Sequence, residues 1–316
     1  MRRVALIYNP ASGMNSNGHA SWFDDALAVL REAGVEAEVL ATRAPGTGGD
    51  LAQEALRQGC DTIIACGGDG TVNEVMQSLV GGQAALGVVP LGTANALAAD
   101  LGLSSSPAKA LRMLLTAVPA RVSVGRIFYR DSGGATRSRY FTVAAGMGAD
   151  AQFFYRLDAR LKRRFGYAFY LVEALRVWFT HSFPLFQATF MIPGNPKPQT
   201  DEVSQLLAVR ICDFGGLVHR LVPGATLRNN NLRLMAFKTR SRLRYLSFIT
   251  AALFRRQTFS GKIEVLDAVS VECRHLEGHP SRIYVEADGE LLGSLPARIE
   301  IVPDALTLLI PAQAEL

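Results

Sequence analysis

Short apolar runs alternate with amphipathic segments through the first 120 residues or so. Residues 4–8 (Val-Ala-Leu-Ile-Tyr) predict a strand that stops at Asn9-Pro10-Ala11-Ser12-Gly13. Ala20 to Glu32 repeats its apolar positions at helical spacing and ends before Gly34. Val35 to Ala41 predicts a second strand, and Asp50 is placed to cap a helix running to about Gln58. The run from Ile63 to Cys66 is short, apolar and bounded by glycine, as a buried parallel strand requires. It leads through Gly67-Gly68-Asp69-Gly70-Thr71 into a periodic segment from Val72 to Leu79. Ala85 to Val89 predicts a further strand, ending at Pro90-Leu91-Gly92-Thr93-Ala94-Asn95 before a helix towards Leu101. Ser104-Ser105-Ser106-Pro107 opens one more helix, to about Ala117. Strands alternating with helices predict a doubly wound parallel sheet. Its turn-rich loops at 9–13, 42, 67–71 and 92–95 then share the C-terminal edge, where open α/β sheets bind ligands.

Beyond Arg121 the pattern changes. Arg139 to Ala145, Leu206 to Cys212, Leu232 to Lys238, Lys262 to Leu266, Val269 to Cys273 and Arg282 to Ala287 are short runs separated by turn residues. They predict a mainly antiparallel β region. The boundary is expected near 118–125, giving an α/β domain over 1–122 and a β domain over 123–316. The last segment is a candidate to return to the first domain.

Two helical stretches interrupt the β region, and charge gives them a meaning. The chain carries a net +5, yet residues 156–164 hold five bases against one acid, and 238–256 hold six bases and no acid. In 153–179 the bases accompany Phe165, Tyr167, Phe169, Tyr170, Trp178 and Phe179; in 238–256 they flank Leu246, Phe248, Ile249 and Leu253. Arginine heads on apolar bodies suit an anionic membrane interface. A helix packed on a sheet with a solvated basic face produces the same pattern. Nucleic acid is disfavoured, because the aromatics sit among aliphatics and not between bases as stacking platforms.

A composition of 49% hydrophobic and 19% charged residues describes an ordered protein, and no apolar run reaches the roughly 18 residues of a membrane span. The N-terminal apolar stretch is too short for a signal peptide. A cytoplasmic protein, peripheral at the inner membrane surface, is expected. Cys60, Cys66, Cys212 and Cys273 are scattered without ligand-like pairing, so Cys273-Arg274-His275-Leu276-Glu277-Gly278-His279 is a weak zinc candidate.

Strand, glycine turn and helix start together make an anion cradle from backbone N–H groups. Asp69 is the odd member there, since a bare carboxylate repels phosphate; it makes sense facing a magnesium ion that accompanies a nucleotide. A tight turn with an aspartate cap is the plainer reading of the same residues. No Gly-x4-Gly-Lys-Ser/Thr is present, and no Gly-x-Gly-x-x-Gly follows the first strand, which excludes a P-loop and leaves a Rossmann dinucleotide site unsupported. Asp213-Phe214-Gly215 imitates a protein-kinase motif without its companion motifs. Phosphoryl transfer to a hydroxyl also needs a base, and Asp288-Gly289-Glu290 offers two carboxylates, although a surface hairpin would supply the same residues.

In order and spacing, Asn9-Pro10-Ala11-Ser12-Gly13, Gly67-Gly68-Asp69-Gly70-Thr71 with Asn73-Glu74, Pro90-Leu91-Gly92-Thr93-Ala94-Asn95 and Asp288-Gly289-Glu290 resemble the signature of the diacylglycerol kinase and sphingosine kinase family of lipid kinases. The resemblance runs from about residue 4 to residue 310. It implies an NAD kinase-like α/β nucleotide domain followed by a β-sandwich, with ATP and Mg²⁺ as cofactors and a membrane lipid as acceptor. It implies that Asn9, Ser12 and Gly13 line one side of ATP, with Thr42 near the adenosine. Gly67, Gly68, Gly70 and Thr71 would hold phosphates, Asn73 and Glu74 would complete that turn, and Thr93 and Asn95 would close the opposite wall. Asp69 would orient the catalytic Mg²⁺ through water, Glu290 would take the lipid hydroxyl proton, and Asp288 would support it. A homodimer is one possible assembly. The chain departs from the family at Ala96 and Ser123, where relatives commonly carry aspartate. It departs again at Asn229-Asn230-Asn231-Leu232-Arg233, where an aspartate in relatives helps to bind a structural magnesium. Asn229 is a poor ligand for a hard cation. A catalytically weak, membrane-associated nucleotide-binding protein and a soluble NAD kinase-like enzyme are the alternatives.

Overall fold

The computed structural model describes residues 1–10, 12, 19–149, 151, 180, 182–214, 222–253, 261–278 and 282–314. The first half is built on four parallel strands, β1 (Arg3–Tyr8), β2 (Glu36–Ala41), β3 (Thr62–Gly67) and β4 (Ala85–Pro90), in the order β4-β3-β1-β2. β3 and β4 are buried at every position, and β1 at its four central ones, which is why they read as unbroken apolar runs. Helices α1 (His19–Glu32), α2 (Thr47–Arg57), α3 (Asp69–Gln77), α4 (Ala96–Asp100) and α5 (Pro107–Leu115) connect or flank them. Leu30, Ile64, Met76, Leu97 and Leu111 lie in the core these layers enclose.

The antiparallel half comprises β5 (Val118–Arg130), β6 (Thr136–Phe141), β7 (Ala144–Met147), β8 (Phe186–Met191), β9 (Gln199–Val203), β10 (Gln205–Val209), β11 (Leu232–Phe237), β12 (Ile263–Ala268), β13 (Ser270–His275), β14 (Tyr284–Ala287) and β15 (Glu290–Ile310). It forms a β-sandwich around a second core that includes Phe141, Phe186, Phe190, Val285 and Ile299. β5 and β15 pair antiparallel over most of their lengths, and the end of β15 pairs parallel to β4 at Thr307↔Ala85 and Leu308↔Leu86. The two halves thus share one hydrogen-bonded sheet.

The departures from the sequence pattern have physical causes. The boundary expected at 118–125 lies inside the continuous strand β5, so no linker stands there. β15 did not read as a strand because Pro296 and Pro303 interrupt it; both prolines fall within its register shifts, where ladder bonds are already missing. The single strand expected over 139–145 is two, because the N–H groups of Thr142 and Val143 leave the ladder and bond the Asp288 carboxylate. Asp50 does not cap α2. That helix starts at Thr47, after Gly46 in the left-handed region at φ 88°, and its first N–H groups are met by Glu74.

Of the two basic stretches, 153–179 lies outside the described residues, while the second contains α6 (Arg242–Leu253). Tyr245 stacks on Phe237 with ring centroids 4.7 Å apart, Phe248 meets the same ring edge-on, and Leu243 and Leu246 face outward. Phe254, Arg255 and Arg256 lie outside the described residues. Among the described residues no helix is long and apolar enough to cross a membrane.

Candidate active site

Two loops at the C-terminal edge of the parallel strands pack against each other with almost no side chain between them. A Cβ on Gly92 would lie 2.5 Å from the Gly68 Cα, so the β3–α3 turn and the β4–α4 turn touch backbone to backbone. A Cβ on Gly67 would lie 2.5 Å from Thr71 Oγ1. Asn95 adopts φ 51°, where asparagine is among the few tolerated side chains. Its amide closes the loop on itself: Oδ1 accepts from the Gly92 N–H and Nδ2 donates to the Gly92 carbonyl, both at 2.8 Å. Asp69 fastens the two loops together, its carboxylate accepting the N–H groups of Asn95 at 3.0 Å and Ala96 at 2.7 Å. Next along, Asn9 and Ser12 close a turn after β1, with Ser12 Oγ donating to the Asn9 carbonyl at 2.6 Å, and the Thr42 N–H bonds the Tyr8 carbonyl at 2.8 Å. Thr93 is exposed beside them. Gly13 lies outside the described residues.

The late acidic turn is a hairpin, as its spacing allowed, with both Asp288 and Gly289 at positive φ. It faces inward all the same. The Asp288 carboxylate accepts from Asn73 Nδ2 at 2.8 Å and from the N–H groups of Thr142, Val143 and Ala144. Burial pushes the Asp288 carboxyl upward, against the pull of those donors. Asn73 continues the chain of contacts, since its Oδ1 accepts from Arg139 Nε at 2.8 Å. Arg139 in turn places Nη2 2.7 Å from Glu290 Oε2. A Cβ on Gly70 would stand 3.4 Å from Glu290 Oε1, so this carboxylate lies over the glycine-rich turn. Burial raises the Glu290 carboxyl, Arg139 opposes that, and the charges of Glu74 and Asp288 add to it.

The structure therefore brings Asp69, Gly70, Thr71, Asn73, Asp288 and Glu290 into one cluster, with Asn9, Thr42, Thr93 and Asn95 along the same sheet edge. Three residues differ from expectation in role or place. Glu74 directs its carboxylate to the start of α2, accepting from the N–H groups of Gly46 and Gly48, and Asn73 points to Asp288 and Arg139. Asn229 belongs to a separate cluster with Ser123, Asn230 and Arg210. Arg139 carried no sequence signal: it is one arginine in an exposed-looking strand, and its partners lie 66 and 151 positions away. Asp100 was missed likewise. Its Oδ1 accepts the N–H groups of Cys212 and Asp213, each at 2.8 Å, tying α4 to the end of β10, while burial raises its carboxyl. Asp213-Phe214 thus has a structural role, and Gly215 lies outside the described residues.

The residues fit a nucleotide-borne magnesium ion. Asp69 brings a hard carboxylate to the glycine-rich cradle, held by the N–H groups of Asn95 and Ala96, and such oxygens suit the waters that magnesium keeps. No group of three or more His, Cys, Asp or Glu gathers among the described residues. Phosphate oxygens and water would then complete the shell, the arrangement magnesium favours.

Comparison with known proteins gives the family and the fold. Residues 3–127 match the family described as the diacylglycerol kinase catalytic domain, and residues 142–310 match the YegS C-terminal NAD kinase beta sandwich-like domain. A probable lipid kinase YegS-like protein of Chromohalobacter salexigens is 32% identical over 293 residues, covering 91% of this chain and 88% of its own. A diacylglycerol kinase of Bacillus subtilis is 27% identical over 300 residues, covering 94% and 92%. Among solved structures, a diacylglycerol kinase from Bacillus anthracis superposes with a TM-score of 0.72 at 19% identity, over 99% of this chain and 98% of that one. Yeast NADH kinase superposes with a TM-score of 0.51 at 10% identity, over 98% and 83%. These last two are likenesses of fold.

Proposed function

The chain belongs to the diacylglycerol kinase family of lipid kinases, and from that premise we propose that it transfers the γ-phosphoryl group of ATP directly to a hydroxyl of diacylglycerol or a related membrane lipid. The observation that carries this reading is the run of contacts Asp288–Asn73–Arg139–Glu290, which fixes one carboxylate beside Gly70 of the anion cradle. A general base must reach the acceptor proton while the phosphoryl group lies in line with it. Glu290 is placed for that work. The N–H groups of the β3–α3 turn hold the phosphates, and Asn9, Ser12, Thr42, Thr93 and Asn95 border the nucleotide. Asp69 would hold the waters of a magnesium ion bound with the nucleotide, and such an ion would supply charge neutralisation on the phosphates. Asp288 accepts four N–H groups, so its part is to fix the β6–β7 turn and Asn73 beneath Glu290.

The lipid must be met at a surface. The outer face of α6 offers exposed Leu243 and Leu246 beside exposed Arg240, Arg242 and Arg244, an apolar ridge within a basic rim. Such a face suits anionic headgroups. A peripheral position at the inner membrane surface follows from that reading.

Purified protein incubated with γ-labelled ATP, Mg²⁺ and mixed-lipid vesicles tests the reaction. Labelled lipid is expected, and none under any lipid composition would sink the proposal. Glu290→Gln is expected to abolish transfer and leave ATP binding intact. Binding without turnover in the unaltered chain would select a catalytically weak nucleotide-binding protein. Turnover of NAD without vesicles would select an NAD kinase-like activity.

A further inference from the structure

Arg210 is among the most deeply buried residues of the chain, 1% exposed, immediately after β10. Its guanidinium touches main-chain carbonyls. Nη1 donates to Asn231 O at 2.5 Å, and Nη2 lies 3.0 Å from Ser123 O, 3.2 Å from Leu227 O and 2.9 Å from Asn229 O. Nε has no partner among the described residues, and no ion pair among them includes Arg210. Burial lowers its pKa to about 10, which still leaves it charged near neutral pH. Four carbonyl dipoles from two chain segments therefore converge on one buried cation, with no carboxylate paired to it among the described residues.

The family resemblance implies a structural magnesium near residues 229–233, and the donors here do not fit one. Asn229, Asn230 and Asn231 bring no charge. Asn229 Nδ2 donates to Gly224 O, and Asn230 Oδ1 accepts the Ser123 hydroxyl at 2.5 Å, so both side chains are engaged within the protein. The carbonyls that would face a metal ion already face a fixed positive charge, which repels a dication. A hard cation of that kind favours carboxylate oxygens.

We infer that the Arg210 guanidinium is the resident cation of this carbonyl cluster, and that the 222–231 loop of this chain is held to β5 without a divalent ion. The planar fork of arginine suits the task, because it presents several N–H groups to carbonyls arrayed around it, where a lysine presents a single point charge. The consequence reaches the cleft. Two and three residues beyond Arg210, the N–H groups of Cys212 and Asp213 hold Asp100 of α4, so the same cation steadies the strand end that ties α4 to the sandwich. Magnesium then serves the reaction and not the fold.

Thermal unfolding of the full chain without nucleotide, in EDTA and then in millimolar Mg²⁺ or Ca²⁺, tests this. A bound structural ion raises the midpoint by mass action. The expected result is a midpoint unchanged to within about 1 °C. A fall of several degrees in EDTA, restored by Mg²⁺, would overturn the inference. Arg210→Met is expected to lower the midpoint by at least about 5 °C and to gain nothing from Mg²⁺, with Arg210→Lys falling between the two. A midpoint for Arg210→Met equal to that of the unaltered chain would overturn it as well. Should the methionine variant fail to fold, the EDTA comparison and the lysine variant still decide. None of these readouts depends on lipid phosphorylation, so the inference stands or falls apart from the proposed reaction.

Discussion

Arg139→Met removes a residue that belongs to no motif yet bonds members of two, Asn73 and Glu290, and its effect should appear in the pH dependence of the reaction. Arg139 and Glu290 approach to 2.7 Å, with side chains 25% and 37% exposed. A hydrogen bond to a charged group contributes about 1.5–3 kcal/mol when sheltered, whereas exposed pairs contribute about 0–1 kcal/mol. Partial exposure here argues for roughly 1–2 kcal/mol, or about 5- to 30-fold in kcat/KM near neutral pH. The direction follows from the surroundings. Burial raises the Glu290 carboxyl, the charges of Glu74 and Asp288 raise it further, and Arg139 is the group that pulls it down. The Tyr129 phenol on β5 also lies within this field, and burial disfavours its ionisation. A base acts only when deprotonated, so losing Arg139 moves the acid limb of kcat/KM to higher pH. Arg139→Lys, which keeps the charge, should recover part of the shift. The assay is labelled-phosphate transfer to vesicle lipid from about pH 5.5 to 9, with the KM for ATP measured at each point. An unmoved acid limb with a raised KM for ATP would refute the reasoning and make Arg139 a nucleotide contact. Inactivity of the unaltered chain, or activity surviving Glu290→Gln, would instead remove the base on which it rests.

Three further outcomes follow from the same geometry. Gly92→Ala places a methyl group 2.5 Å from the Gly68 Cα, so one loop must move; ATP affinity measured by calorimetry should fall about tenfold or more, while overall stability changes little. Glu74→Ala withdraws the carboxylate from the Gly46 and Gly48 N–H groups, and urea unfolding should show a loss of about 1–2 kcal/mol. Replacing Leu243 and Leu246 together by aspartate changes only exposed positions of α6; co-sedimentation with anionic vesicles should fall several-fold with the unfolding midpoint unmoved, and unchanged sedimentation would detach this helix from the membrane reading.

The parallel half was legible because its signals are local. A strand buried on both faces writes an unbroken apolar run, as Ile63 to Cys66 does, and a glycine turn writes its own glycines. The antiparallel half hides its two longest strands. β5 begins with Val118-Pro119, and β15 carries two prolines at places where the ladder is already broken, so a local reading divides both. At the site, the residue types were legible and their allegiances were not. Asn73 and Glu74 are neighbours in one motif, yet a helix turn separates their directions by about 100°. One therefore joins the Asp288–Arg139 cluster while the other holds α2. Nothing in periodicity links Asn73 to Asp288 across 215 positions. That bond explains why the motifs belong together: the second loop supplies the amide that orients the hairpin carrying Glu290. A substitution at Asn73 should consequently disturb the base before it disturbs the nucleotide, and the two effects separate cleanly as a change in kcat/KM for lipid against a change in ATP affinity. Loss of ATP affinity alone would return Asn73 to the role its place in the motif suggests.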